Sequence, residues 1–475
     1  MGGGAEAIYG EGRIELGDRR LEQRVRTLVG TLAKHPEASL PQACADWAEQ
    51  RAAYRLFDNE AVDPGEVSKA LGRATAARCV GAGRVLVVQD TTAVDYTSHR
   101  ATTGLGTLIH PKARGVLLHS CLAVSEDGVP LGLLDVQPWA RTEARHDDER
   151  HTVPIEGKES GRWVQGLRRA IARLAPGTPT LTIADREADL YELFLVADEL
   201  GGEWLIRARH DRALAETEAR LVATVEAAPV LADLTLEVPR NGTQVPRTAA
   251  VQVRQATVTL VPPRQHPSRV AQWWQAHPTA ERLGPQQVRP LRVGVVLVSE
   301  VAAPAGVKPL RWLLLTSLPL TSLDDVLACV RLYRLRWLIE QFHFVLKSGC
   351  RVERLQLHDG QRLQRALVIY AGVAWWLLWL THLARAHPEA PCTVAFDTPS
   401  WQVLVATTSR TLVLPPHPPT LRTAIRLLAG LGGFRGRPSD GEPGVQTLWR
   451  GLRSLHERLA TWLLFFPPAP TCVQG

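Results

Sequence analysis

The run Arg84-Val85-Leu86-Val87-Val88-Gln89-Asp90 decides the reading of this chain. Four apolar residues in a row, three of them valine, are too few for a helix and read as a buried strand that ends in a carboxylate. The pattern returns at Thr180-Leu181-Thr182-Ile183-Ala184-Asp185, a second strand closing on an aspartate. Between them, Gly115 to Ser125 and Val129 to Val136 read as strands joined at Glu126-Asp127-Gly128, where Asp-Gly is expected to supply the positive φ angles of a hairpin turn. Three strands in succession predict an antiparallel start to a sheet. A helical pattern from Ser160 to Leu174 precedes the second aspartate, after a charged loop over Arg141 to His151, and the mixture points to an α/β core.

Outward from this core the pattern becomes helical on both sides. Leu21, Val25, Leu28, Val29 and Leu32 recur at helical spacing after Gly17-Asp18, a second helix is expected around Trp47 to Phe57, and Asp63-Pro64 supplies an N-cap with proline at the first helical position. Residues 1–78 hold 11 Lys and Arg against 12 Asp and Glu, so any DNA contact there must come from the local cluster Arg19, Arg20, Arg24 and Arg26. Residues 211–310 alternate apolar and polar around an Asn241-Gly242 turn and read as a β-rich insertion. Trp312 to Thr316 resumes a strand, and Ser322 to Ser348 reads as one long helix. Beyond residue 387 come proline-rich connections and amphipathic helices over Leu421 to Leu431 and Leu448 to Leu464.

Composition excludes several classes. With 475 residues, 45% hydrophobic and 22% charged, the chain can bury several cores and is neither disordered nor collagen-like. Its formal charge of +7 leans toward polyanionic partners without proving one. The seven cysteines are scattered with no Cys-x-x-Cys pair, which argues against zinc and disulfides and for a reducing cytosol. No export signal is visible in the first thirty residues, where charges interrupt any apolar stretch. Ala366 to Ala384 carries no formal charge and approaches bilayer-spanning length; Gly372, Thr381 and His382 interrupt it, and a buried core helix is expected.

The chemistry is concentrated in the predicted long helix. Leu332, Leu335, Leu338, Ile339, Phe342, Val345 and Leu346 form an apolar stripe, while Tyr333, Arg336, Glu340 and Lys347, at 3.6 residues per turn, are expected to line one polar face within roughly 60°. Such an arc is either a solvated face with ordinary ion pairs or a binding face. Two strand-ending aspartates and a helical glutamate, with no His or Cys beside them, form an all-oxygen set suited to a hard divalent cation. Three carboxylates brought together would repel without cations, and two such ions can stabilise both oxygens of an in-line phosphoryl displacement.

On these residues the chain resembles the DDE transposases of bacterial insertion sequences, in the insertion-sequence-four branch that carries a Tyr-Arg-Glu-Lys signature and includes the transposon-five enzyme. Tyr333, Arg336, Glu340 and Lys347 meet the signature's spacing without a gap. Further matches are QDTTAVDY at Gln89 to Tyr96, EGKESGRW at Glu156 to Trp163, ADREADLYEL at Ala184 to Leu193 and RWLLLTSLP at Arg311 to Pro319. The opening GDRRLEQR with AAYRLFDN and the late LGGFRGRPSDGEPG resemble the family's two ends.

The resemblance implies a ribonuclease H-like catalytic domain over 79–386 with the β-rich insertion at about 211–310, a helical DNA-binding domain over 1–78 and a helical dimerisation domain over 387–475. It implies that Asp90, Asp185 and Glu340 hold two Mg²⁺ ions, with Mn²⁺ able to substitute. Tyr333, Arg336 and Lys347 would hold phosphates of the transposon end, and Trp312 and Trp337 are the candidates to receive an extruded base if cleavage passes through a hairpin, although ordinary core packing would also account for both indoles. Arg186, Glu187 and Asp189 would support the site. Relatives often carry a basic residue where Phe344 stands, so one phosphate contact is absent or replaced. The implied partners are double-stranded DNA, as end inverted repeats and target, and a second copy of the chain, acting in the cytoplasm on the bacterial nucleoid with no membrane. Two other readings remain open from sequence: a catalytically inactive DNA-binding regulator and a ribonuclease H-like nuclease.

Overall fold

A computed structural model describes residues 3–141, 153–215, 217–238 and 246–466. The Asn241-Gly242 turn, Cys472 and the charged loop beyond Arg141 lie outside the described residues. In chain order the elements are α1 (Gly3–Tyr9), α2 (Arg19–Lys34), α3 (Leu40–Ala43), α4 (Trp47–Asp58), α5 (Pro64–Cys79), β1 (Val85–Asp95), β2 (Gly106–Thr107), β3 (Arg114–Val124) and β4 (Pro130–Trp139). Next come α6 (Gly161–Arg173), β5 (Thr180–Ala184), α7 (Tyr191–Glu199), β6 (Glu203–Arg207), α8 (Leu221–Glu226), β7 (Val230–Val238), β8 (Arg247–Leu260), α9 (Pro267–Ala276), β9 (Leu291–Glu300) and β10 (Arg311–Thr316). The chain closes with α10 (Leu323–Arg334), α11 (Trp337–Phe344), α12 (Gly360–Ala386), α13 (Thr398–Ser409), α14 (Leu421–Leu431) and α15 (Val445–Phe465). Two compact units result: Met1–Ala82, Thr91–Ala144 and Leu338–Gly475 form the first, Gly83–Asp90 and Arg145–Trp337 the second.

The first unit is built around α12. This helix is the described stretch long and apolar enough to cross a membrane, and it is buried along most of its length inside the protein, as expected. Its Trp375 donates Nε1–H to the Pro130 carbonyl at 2.8 Å, which satisfies the indole in an otherwise apolar setting. Helix α5 begins at the expected N-cap, Asp63, whose carboxylate accepts the Glu66 amide at 2.9 Å, and its Thr75 and Arg78 donate to Leu133 O and Leu131 O on β4. Burial lowers the Arg78 pKa to about 10, and its guanidinium lies 4.2 Å from the Trp375 ring centre. Strands β3 and β4 pair antiparallel as predicted. Their turn differs in detail: Gly128 alone has positive φ (86°), and the Gly128 amide bonds back to Ser125 O. That is a three-residue loop, a type I turn followed by a left-handed glycine, so Asp127 keeps ordinary backbone angles.

In the second unit the strand order is β1–β5–β6–β10–β9–β8–β7. β1, β5 and β6 run parallel, and from β10 onward every pairing is antiparallel. The insertion's three strands thus extend the sheet directly. The core holds Trp163, Leu167, Phe194, Trp204, Ile206 and Leu315, with Phe194 and Trp204 stacked at 4.3 Å between ring centres. Among the described residues the cysteines form no disulfide; Cys79, Cys121, Cys329, Cys350 and Cys392 are buried and Cys44 is half-buried.

The single helix expected over Ser322 to Ser348 is instead divided. α10 is capped by Ser322, whose hydroxyl accepts the Asp325 amide, and ends at Arg334. The amides of Leu335 and Arg336 then bond to carbonyls three residues back, a tightened turn, before α11 begins. After Phe344 the chain widens into a π turn over Val345–Gly349, closed by the Cys350 amide on Val345 O at 2.8 Å. One helical wheel therefore cannot relate all four signature residues.

Candidate functional site

β1 and β5 are parallel neighbours in which Leu86, Val87 and Val88 stand beside Leu181, Thr182 and Ile183. Two residues beyond the last of these pairs, on the same face of the pleat, come Asp90 and Asp185. The buried valine run fixes the first strand, the Leu-Thr-Ile run fixes the second, and the register carries Asp90 and Asp185 to neighbouring backbone positions; Asp185 follows the last residue of β5 as expected, whereas β1 continues to Asp95, so Asp90 stands inside its strand rather than ending it. Both are half-buried. Asp185 Oδ1 accepts the Glu187 amide at 2.8 Å, which orients the side chain as the cap of a short turn over Arg186–Ala188.

Arg207 lies within electrostatic reach of Asp185. Arg207, the last residue of β6, pairs with Leu314 of β10 and donates Nη2–H to Arg311 O at 2.6 Å. Its Nε is buried without a hydrogen-bond partner. Burial is the main cause of a lowered Arg207 pKa; Tyr333 and Asp185 oppose the shift, and Arg186 and Arg336 reinforce it. Arg207 therefore feels the charges of Arg186 and Arg336 as well as Asp185 and Tyr333. The buried Tyr333 ring meets Trp312 edge-on, 5.2 Å between centres. Trp337 is half-buried at the end of this unit.

Asp189 acts on the loop that follows β6. Its carboxylate is fully buried; Oδ2 accepts the amides of Arg209 (2.7 Å) and His210 (2.8 Å), and Oδ1 accepts Nε–H and Nη2–H of Arg212. The acid that closes the ADREAD stretch thus fixes the exit from β6 just beyond Arg207. Neither Arg207 nor this clamp was legible in the sequence, where the only signal was a third strand that also ends in a charged residue.

The other predicted residues belong to the first unit. Glu340 lies half-buried in the first turn of α11 and Lys347 in the π turn. Phe344 is exposed and packs near Trp449, with ring centres 6.2 Å apart. Arg19, Arg20 and Arg24 are exposed on α2, where Arg19 acts electrostatically on Glu22, whereas Arg26 turns back to the carbonyls of Gly10 and Gly12. Among the described residues no three His, Cys, Asp or Glu side chains are gathered as a metal site. The neighbouring aspartates still fit a hard divalent ion, which is usually held by one or two carboxylates with substrate phosphate oxygens completing the shell.

Comparison with known families agrees with this chemistry in chain order. The model described as transposase DNA-binding matches residues 11–62, the transposase DDE domain residues 151–376, and the transposase Tn5 dimerisation domain residues 372–459. The central sheet with helices at both ends is accordingly the ribonuclease H-like fold of the DDE domain. The chain belongs to the Tn5-like DDE transposases: DNA-binding, dimer-forming enzymes that cleave DNA with divalent metal ions.

Proposed function

We propose that the chain is a cut-and-paste transposase that binds the inverted repeats at its element's ends, cleaves there and joins the ends to target DNA. The observation that carries this reading is the register that sets Asp90 beside Asp185 in a family of DNA-cleaving enzymes. Asp90, Asp185 and Glu340 would hold two Mg²⁺ ions, with Mn²⁺ as a substitute. Ions bound there supply Lewis-acid stabilisation of the attacking and leaving oxygens in phosphoryl displacement.

The chain's own side chains bind and orient the DNA. Arg336 and Arg207 offer forked N–H donors to a phosphate, Tyr333 a hydroxyl and Lys347 a point charge. Arg207 suits this role because its buried Nε lacks a partner and its charge is pressed by two other guanidiniums, a strain that an anion relieves. Arg19, Arg20 and Arg24 on α2 would hold the backbone of the end repeats. In the hairpin route, a nick frees a 3′ hydroxyl that attacks the opposite strand, and Trp312 and Trp337 give the extruded base an aromatic surface, worth about 1–3 kcal/mol. Residues 1–78 would recognise the ends, 79–386 cleave them, and 387–475 pair two copies in the synaptic complex on nucleoid DNA in the cytoplasm.

The test is excision from a supercoiled plasmid bearing the element's flanking repeats. Asp185→Asn is expected to abolish Mg²⁺-dependent cleavage and strand transfer while leaving end binding intact. Cleavage that survives this substitution would overturn the assignment.

A further inference from the structure

We propose that α9 and the turn after it form a second contact with the phosphate backbone of duplex DNA, read without regard to sequence. The inference rests on the reading above only in taking DNA as the ligand.

Helix α9 buries none of its ten residues, yet the segment that follows it is held firmly. Glu156 Oε1 accepts the amides of Leu283 (2.9 Å) and Gly284 (2.8 Å), and Arg168 donates Nε–H and Nη2–H to the carbonyls of the same two residues at 2.9 and 3.0 Å. Leu283 is buried in the core beneath. The Trp273 ring lies over Gly157, where a Cβ would come within 2.8 Å of it. The EGKESGRW stretch thereby acquires a physical role: its Glu156 and Gly157 seat this excursion between β8 and β9.

What is held so firmly is cationic and aromatic. Trp273 stacks on His277 (4.3 Å, 15° between planes), and the Arg282 guanidinium sits 4.0 Å from the Trp274 ring centre. Residues 261–290 contain four arginines and one acid, Glu281, and α9 itself has no acid. Arg289 is paired with Asp198, and Gln165 approaches Glu281. Arg264, Arg269 and Arg282 have no carboxylate partner among the described residues. An ordinary solvated helix mixes charges at i, i+4 spacing and does not present two indoles among unpaired guanidiniums. A guanidinium stacked on an indole keeps its N–H edge free for bidentate phosphate contact, and contacts of that kind carry no base information.

The experiment measures binding of the full-length protein to a labelled mixed-sequence duplex lacking the element's repeats, as a function of salt. Replacing Arg264, Arg269 and Arg282 together by alanine is expected to make the log–log salt slope shallower by about 2–3, whereas replacing all three by lysine keeps it near the wild-type value. If the triple alanine protein melts abnormally, Arg269→Ala alone is read, with an expected change of about one. An unchanged slope, or a wild-type protein that does not bind this duplex, overturns the proposal. Cleavage by Asp185→Asn would sink the catalytic assignment while leaving the slope result standing, so the two failures are distinguishable.

Discussion

Arg207 puts a partly dehydrated guanidinium at the end of a strand whose neighbours present Asp185 on one side and Trp312 and Leu314 on the other. We expect Arg207→Ala to weaken cleavage more than Arg207→Lys does, because lysine restores the charge without the forked donors; equal losses in a single-turnover cleavage assay would argue against phosphate contact. The Asp189–Arg212 clamp makes a separate prediction about stability. Asp189→Ala leaves Arg212, which is nearly buried, without its counter-charge, an uncompensated burial that costs about 3–5 kcal/mol. Chemical unfolding should show that loss, and a variant as stable as the parent would remove the clamp's importance. The aspartates could be read from the sequence because each ends an apolar run. Arg207 could not, since its neighbours lie 22 residues back, at Asp185, and far ahead, at Tyr333, and only strand pairing brings them together.

Among the elements, strands and capped helices announced themselves through alternation and N-cap residues, as Asp63-Pro64 did for α5. The break between α10 and α11 did not, because apolar spacing of three and four is compatible with a tightened turn as well as with a regular helix. Two glycines govern the pairing of α14 with α15: a Cβ on Gly432 would collide with Thr447 O, and one on Gly451 with Leu428 O. Gly451→Ala should cost about 1–3 kcal/mol by overpacking, visible as an earlier melting transition; an unchanged transition would mean that the helices separate without penalty. Two histidines tie α12 and α15 to pH. Burial lowers the pKa of His382 and of His456 to about 4; Gln341 hydrogen-bonds the first, and Leu452 O the second. Below the ordinary imidazole pKa of about 6.5 the unfolded chain binds protons that the folded chain refuses, so each group removes about 1.4 kcal/mol per pH unit until its folded pKa is reached. Stability should therefore fall on acidification from pH 7 toward 4, and His456→Gln should flatten part of that fall; a melting temperature constant across this window would contradict both assignments.

For the whole molecule, the match to the dimerisation domain begins at residue 372, in the middle of α12, the central helix of the first unit. That unit also joins the chain's two ends: Arg453 on α15 pairs with Glu37 at 2.9 Å, just after α2. A chain ending at Ala386 is therefore expected to lose cooperative melting rather than survive as a monomeric catalytic piece, and a soluble truncated protein with a sharp transition would refute this. The sequence displayed three functional segments in order, but not that the first unit is assembled from three separate stretches, because that depends on contacts hundreds of residues apart. The sealed thiols have a practical consequence. Burial raises the pKa of Cys79 and Cys329 to about 12 and of Cys392 to about 11, and pushes Cys350 up as well, so these sulfurs stay protonated and shielded from alkylating dyes. A single new cysteine on an exposed position of α9 could then carry a fluorophore selectively once Cys44 and Cys472 are replaced by serine, giving an optical reporter of DNA arrival without a wholesale rebuilding of the interior.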